Sequence, residues 1–147
     1  MEGHRDIALV LSGGGMNAVL MEAGFLQRLR AEEELWARVA WIYGTSAGAL
    51  TGMMAALDRL DDLDDFLLTL RPDEAFRPNR LWQLPLTGLH DYTLPQTIAE
   101  RVAPTDELGA ALAAATIELV VFVTEVAALD ADGDEHAFER VFSSHST

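Results

Sequence analysis

The pentapeptide Gly44-Thr45-Ser46-Ala47-Gly48 stands between an apolar run at 39–43 and a helix-like run at 49–57. A Gly-x-Ser-x-Gly sequence between a strand and a helix is typical of a nucleophile elbow, which exposes the serine hydroxyl at the carboxyl edge of a sheet. The first helical turn, from Ala47, directs unpaired N–H groups and the positive end of the helix dipole at an oxyanion beside Ser46. We therefore predict a nucleophile at Ser46 and an oxyanion donor at Ala47. The alternative is a turn with Ser46 as an ordinary N-cap.

Upstream of the elbow, residues 7–11 form an aliphatic run that ends in Ser12 and the glycine loop Gly13-Gly14-Gly15. The runs at 7–11 and 39–43 predict two strands buried on both faces, and the residues from Ala18 predict the helix that joins them. Strand, helix and strand imply a parallel pair with a right-handed crossover. The glycine loop and the elbow are therefore expected at the same edge of the sheet.

Downstream, the patterns predict helices over 49–57 and 60–70, a long loop over 76–92, a helix over 104–115 and a strand over 117–124. An antiparallel edge strand is predicted over 136–142. Four aspartates, at positions 61, 62, 64 and 65, are interpreted as a solvated helix face rather than a metal site. The expected fold is a three-layer α/β/α domain over residues 1–147 with a mainly parallel sheet.

Composition excludes several function classes. The net charge of −14 with only ten Lys and Arg residues argues against nucleic acid and against an anionic membrane surface. The absence of cysteine excludes disulfides and thiolate metal sites, and the four histidines lack metal-ligand spacing, so no metal and no cofactor are expected. The apolar run at 7–11 is too short for a signal peptide or a membrane span, and a cytoplasmic protein is expected.

The glycine loop has two interpretations. Gly13 to Ala18 fits the Gly-x-Gly-x-x-Ala dinucleotide fingerprint between a strand and a helix. A dinucleotide site also needs an acid at the end of the second strand, where this chain has Gly44-Thr45-Ser46. An oxyanion hole formed by Gly13, Gly14 and Gly15 is therefore favoured, and a nucleotide-binding α/β domain stays as an alternative.

The run from Leu11 to Gly15, a helix, and the run from Gly44 to Leu50 together resemble the patatin-like phospholipases. The resemblance implies an acyl hydrolase of Ser-Asp dyad type that acts on phospholipid or neutral-lipid esters. By position, Ser46 matches the nucleophile and Gly13 to Gly15 match the oxyanion loop. The strand at 117–124, followed by Glu125, is similar to a strand and hairpin of that family. An acyl-ester lipid is the implied partner, and transient membrane-surface contact and self-association stay open.

The general base is unassigned. In the resembled family the catalytic aspartate lies in an Asp-Gly-Gly or Asp-Gly-Ala motif, and the sole Asp-Gly here, Asp132-Gly133, is interpreted as a hairpin turn. The 147 residues are thus expected to lack the Asp-Gly-Gly segment. Asp132 as base, a triad of Asp132 with His136 or His145, and the pair His90-Asp91 are weaker alternatives. A catalytically incomplete module with a binding or regulatory role is the non-enzymatic alternative.

Overall fold

The computed structural model describes residues 5–71, 76–78, 90–92, 97, 100–101, 104–126 and 137–146. Its strands are β1 (Ile7–Leu11), β2 (Val39–Thr45), β3 (Phe76–Pro78), β4 (His90–Tyr92), β5 (Glu118–Val126) and β6 (Ala137–Ser143). Its helices are α1 (Gly15–Arg30), α2 (Glu33–Trp36), α3 (Ala47–Ala56), α4 (Leu60–Thr69) and α5 (Thr105–Ala114).

Four strands form the main sheet in the order β1-β2-β5-β6. β1, β2 and β5 are parallel, and β6 runs antiparallel to β5 at the edge. The parallel register places Leu11 beside Gly44 and Gly44 beside Val121. The carboxyl ends of the three parallel strands therefore lie at one edge of the sheet. The predicted α/β class, the mainly parallel sheet and the antiparallel edge strand are confirmed.

Among these helices, α3 lies directly on β1, β2 and β5, and α1 and α4 pack against α3. All five contribute to a single apolar core, α2 through Trp36 and α5 through Leu112. α3 lies so close to the sheet that a Cβ on Gly52 would be 2.8 Å from Cγ2 of Ile42. The largest side chains with almost no solvent exposure are those of Leu26, Ile42, Met54, Leu60 and Leu63. Burial of such side chains contributes about 1.5–3 kcal/mol each, so this core dominates the stability of the fold.

The face of the sheet opposite α3, which we call the outer face, includes Val10, Trp41, Tyr43, Phe122 and Val141. Exposure is 80% for Val10, 37% for Trp41 and 57% for Val141. The prediction that the first two strands are buried on both faces is therefore wrong for this face. The reason is that α3 packs on the opposite face, where its Gly52 approaches Ile42 and Leu119.

The prediction of a long loop over 76–92 is also wrong at both ends, where the structure has the strands β3 and β4. β3 and β4 pair antiparallel, with Phe76 opposite Tyr92 and Pro78 opposite His90. Residues 79–89, between them, lie outside the described residues.

The aspartates of α4 make specific contacts with α1. Asp61 accepts hydrogen bonds from Arg30 at 2.6 Å and from Gln27 at 3.2 Å, and Gln27 also donates to Asp64 at 2.7 Å. The hydrogen bond from Arg30, followed by that from Gln27, lowers the pKa of the Asp61 carboxyl from its ordinary value. Among the described residues, no three His, Asp or Glu side chains are placed to hold a metal ion.

None of the described helices combines the length and apolar character needed to cross a bilayer. The longest, α1, has 16 residues, whereas a spanning helix needs about 20.

Candidate active site

Ser46 occupies a sharp turn between β2, which ends at Thr45, and α3, which begins at Ala47. Its backbone angles are φ 52° and ψ −119°, a combination that side-chain-bearing residues rarely adopt and that costs about 1–3 kcal/mol. The side chain is exposed. It makes no capping hydrogen bond to α3, and an ordinary N-cap would have β-region angles and such a bond. The geometry therefore favours the elbow over the N-cap alternative.

The two glycines of the pentapeptide are required by close backbone packing. A Cβ on Gly44 would lie 2.6 Å from the carbonyl oxygen of Gly48. A Cβ on Gly48 would overlap the carbonyl oxygen of Leu11 and lie 2.5 Å from its carbonyl carbon. Any larger residue would push α3 away from β2 at position 44 and from β1 at position 48. The Gly-x-x-x-Gly spacing thus lets α3 begin directly against both strands, which produces the sharp turn at Ser46.

The glycine loop lies against this turn. A Cβ on Gly13 would be 3.1 Å from Cβ of Ser46 and 3.6 Å from its Oγ, so the loop backbone reaches the serine side chain itself. Gly15 has φ +63°, a left-handed conformation that favours glycine, and α1 begins there. The structure therefore brings Gly13 beside Ser46, with Gly14 and Gly15 following it into α1. The N-termini of α1 and α3 both lie at this point.

β5 borders the elbow on the other side of β2. Thr45 pairs with Phe122 in the parallel ladder, and its Oγ1 donates to the Phe122 carbonyl oxygen at 3.3 Å. The ring of Phe122 lies 6.2 Å from that of Tyr43, at an interplanar angle of 31°. The end of β2 is thus paired with β1 on one side and with β5 on the other. The turn at Ser46 is therefore held by the sheet rather than by a free loop.

A comparison with protein-family models matches residues 9–145 to the family described as "Patatin-like phospholipase". The chain belongs to the patatin-like phospholipase family. The match covers both the glycine loop and the elbow, and it confirms the resemblance inferred from those two motifs. No protein with a curated description and no solved structure matches the chain.

The members of this family are lipid hydrolases that act on lipid esters. This membership favours acyl-ester chemistry over the nucleotide-binding interpretation of the glycine loop. The fold agrees with it, because the glycine loop and the serine lie together at the carboxyl edge of the sheet.

The candidate bases are only partly described. Asp132 and His136 lie outside the described residues, and His90 and Asp91 belong to β4 of the separate two-stranded sheet. His145 lies at the other end of β5, where its Nε2 is 2.9 Å from the carbonyl oxygen of Ala115. Because β2 and β5 are parallel, that end is opposite to the edge that carries Ser46. A triad through His145 is therefore excluded by this arrangement.

One contact beside the elbow was not indicated by any sequence motif. Thr51 on α3 is completely buried, and its Oγ1 lies 2.6 Å from Oε2 of Glu22 on α1. The only sequence signal is that Glu22 is the sole acid between Asp6 and Glu32.

Proposed function

We propose that this patatin-like protein is a serine acyl hydrolase that cleaves lipid esters, with Ser46 as the nucleophile. Gly13, Gly14, Gly15 and Ala47 are proposed to supply the oxyanion hole. The observation that carries the proposal is the approach of Gly13 to the strained, exposed Ser46, with a Cβ at position 13 only 3.6 Å from Oγ. A glycine loop that serves only to start a helix would not need to lie against a serine hydroxyl.

The proposed reaction proceeds in two steps. Oγ of Ser46 attacks the ester carbonyl carbon, its proton passes to a general base, and the carbonyl oxygen becomes an oxyanion held by backbone N–H groups. Collapse of this intermediate breaks the bond to the leaving oxygen, which takes the proton from the base and departs as the alcohol, and an acyl-serine ester remains. Water, deprotonated by the same base, then attacks this ester and releases the fatty acid, and the proton returns to Oγ of Ser46. Each well-placed donor to the oxyanion contributes a rate factor on the order of 10²–10³.

The test is release of free fatty acid by the purified protein. Phosphatidylcholine vesicles, a triacylglycerol emulsion and p-nitrophenyl acyl esters serve as substrates, and mass spectrometry measures the acid. We expect release from at least one ester class, and we expect prior fluorophosphonate treatment to stop it. Loss of release in Asp132→Asn with the fold intact would identify Asp132 as the base rather than as a turn residue. No release and no labelling would contradict the proposal.

A catalytically incomplete module is the second candidate, and one sequence observation favours it. The only Asp-Gly pair, Asp132-Gly133, is followed by Asp134 instead of the Gly or Ala that the family motif has. Such a module would bind acyl lipids without fatty acid release. Calorimetric binding of a nicotinamide nucleotide would instead support the nucleotide-binding alternative.

Transient contact with a membrane surface follows from the proposed substrate. The net charge of −14 predicts repulsion by anionic vesicles. We therefore expect faster hydrolysis on phosphatidylcholine vesicles than on vesicles containing phosphatidylglycerol, and we expect added salt to reduce the difference.

Self-association is proposed to occur through the outer face, where Val10 and Val141 are 80% and 57% exposed. Sedimentation velocity is expected to show a mean mass that rises with concentration. The double variant Val10→Lys with Val141→Lys is expected to remain monomeric, because paired sheet faces would bury its ammonium groups. An unchanged mass distribution in this variant would contradict a role for the outer face.

A further inference from the structure

We propose that Glu22 and Thr51 form a positioning pair that fixes the glycine loop against Ser46. This inference rests on the proposed function, because it concerns the geometry of the oxyanion hole. Neither residue is placed in contact with substrate. Both act through the helices that carry them.

The contact between them is short and partly buried. Thr51 has 0% exposure, and its Oγ1 lies 2.6 Å from Oε2 of Glu22. The same hydroxyl lies 3.3 Å from the carbonyl oxygen of Ala47 and 3.4 Å from that of Gly48. A hydroxyl has one proton to donate, and a carboxylate at 2.6 Å is a much better acceptor than a carbonyl at 3.3 Å or more. The proton therefore goes to Glu22, and the bond runs between helices rather than within α3.

The two residues lie close to the helix ends that form the candidate site. Glu22 is about two turns beyond Gly15, roughly 10 Å along α1. Thr51 lies in the second turn of α3, roughly 7 Å beyond Ser46. Helices are stiff over such lengths, so a lateral shift of α1 against α3 moves Gly13 relative to Ser46 by a similar amount. The backbone at Gly13 lies so close to Ser46 that a Cβ added there would be 3.1 Å from Cβ of Ser46, so a shift of this kind changes the spacing within the candidate site itself.

The other contacts of the two helices do not fix the position of α1 relative to α3 near the candidate site. Close packing at Gly48 and Gly52 fixes α3 on the sheet. The hydrogen bonds from Gln27 and Arg30 hold the other end of α1 to Asp61 on α4. Apolar side chains alone would bury the surface between α1 and α3 but would tolerate sliding. A directional, charge-assisted hydrogen bond sets one separation, and among the described residues the bond from Thr51 to Glu22 is the side-chain hydrogen bond that joins α1 to α3.

The experiment compares variants that keep the shape of the pair with a control elsewhere on α1. Thr51→Val is nearly isosteric and removes the donor, Thr51→Ser restores it, and Glu22→Met removes the acceptor. In Glu22→Met the Thr51 hydroxyl can still donate to the Ala47 carbonyl oxygen, so this variant is expected to fold. Asp61→Asn is the control, because it disturbs a polar contact of α1 far from the site.

Two quantities are measured on the full chain: the backbone amide NMR shifts of Gly13, Gly14, Gly15 and Ala47, and the rate of phosphonylation of Ser46 by a fluorophosphonate. We expect Thr51→Val and Glu22→Met to move the amide signals and to slow phosphonylation about 10–100-fold, since misplacement on the order of 1 Å has such effects. Thr51→Ser is expected to restore both quantities, and Asp61→Asn is expected to change neither.

Amide signals in Glu22→Met that move no more than in Asp61→Asn would overturn the positioning role, whatever the reactivity of Ser46. Signals that move while the wild-type chain resists phosphonylation would leave the positioning pair standing and count against the hydrolase proposal. A loss of stability alone, with signals and rates unchanged, would reduce the pair to an ordinary packing contact.

Discussion

Replacement of Ser46 by alanine is expected to abolish fluorophosphonate labelling and to reduce ester hydrolysis by a factor on the order of 10⁴–10⁶. The reason is covalent: in the proposed mechanism only Oγ of Ser46 forms the acyl bond, so no neighbouring group can substitute for it. Labelling is followed by mass spectrometry of the intact protein and its peptides, and hydrolysis by release of fatty acid.

The matched control for this prediction is Ser146→Ala. Ser146 is an exposed serine whose Oγ donates to the Ser143 carbonyl oxygen at 2.8 Å, beyond the end of β6. Its removal should leave labelling and hydrolysis at the wild-type level. Labelling that persists in Ser46→Ala would show that another residue is the nucleophile, and the elbow would then be a structural turn.

A second variant at the same position separates strain from chemistry. Ser46→Gly also lacks the hydroxyl, but glycine adopts φ 52° without the steric cost that a side chain incurs. We expect Ser46→Gly to be inactive and yet more stable than the wild type by about 1 kcal/mol in urea unfolding. An inactive variant with raised stability would indicate that backbone strain is retained at position 46 for function.

Much of this fold was predictable because local patterns and tertiary structure agree. The aliphatic run at 7–11 is β1 from end to end, and the run at 39–43 is the core of β2, which continues to Thr45. The helix predicted from Ala18 begins at Gly15, because the last loop glycine already belongs to the first turn. The helix predicted from Ala49 begins at Ala47, because close packing at Gly44 and Gly48 leaves no linker after Ser46.

Other features could not be predicted, because they depend on partners distant in the sequence. Whether Val10 is buried depends on which face the helices cover, and an aliphatic run has the same composition in either case. The pairing of β3 with β4 joins two three-residue strands with no periodicity to detect. The contact between Glu22 and Thr51 arises from the packing of α1 on α3, and each residue alone is unremarkable in a helix. The site motifs were predictable because their glycines encode the backbone geometry directly.

Opposite effects are expected when alanine replaces two helical glycines. Gly48→Ala should destabilise the chain by about 3 kcal/mol or more, because the new methyl group would overlap the backbone of Leu11, which cannot move without displacing β1. Gly24→Ala, in α1, should stabilise it by about 0.5–1 kcal/mol, since no atom lies within 4 Å of the new Cβ and alanine favours helix. Urea unfolding followed by circular dichroism measures both changes.

The same pair of variants tests how the elbow depends on packing. If α3 must begin against β1 to hold Ser46 at φ 52°, Gly48→Ala should lose phosphonylation at urea concentrations where the chain is still folded, whereas Gly24→Ala should keep the wild-type rate. A Gly48→Ala protein with unchanged stability and reactivity would show that α3 can move away from β1 without loss of the turn. The close approach at Gly48 would then be a consequence of the fold rather than the feature that shapes the elbow.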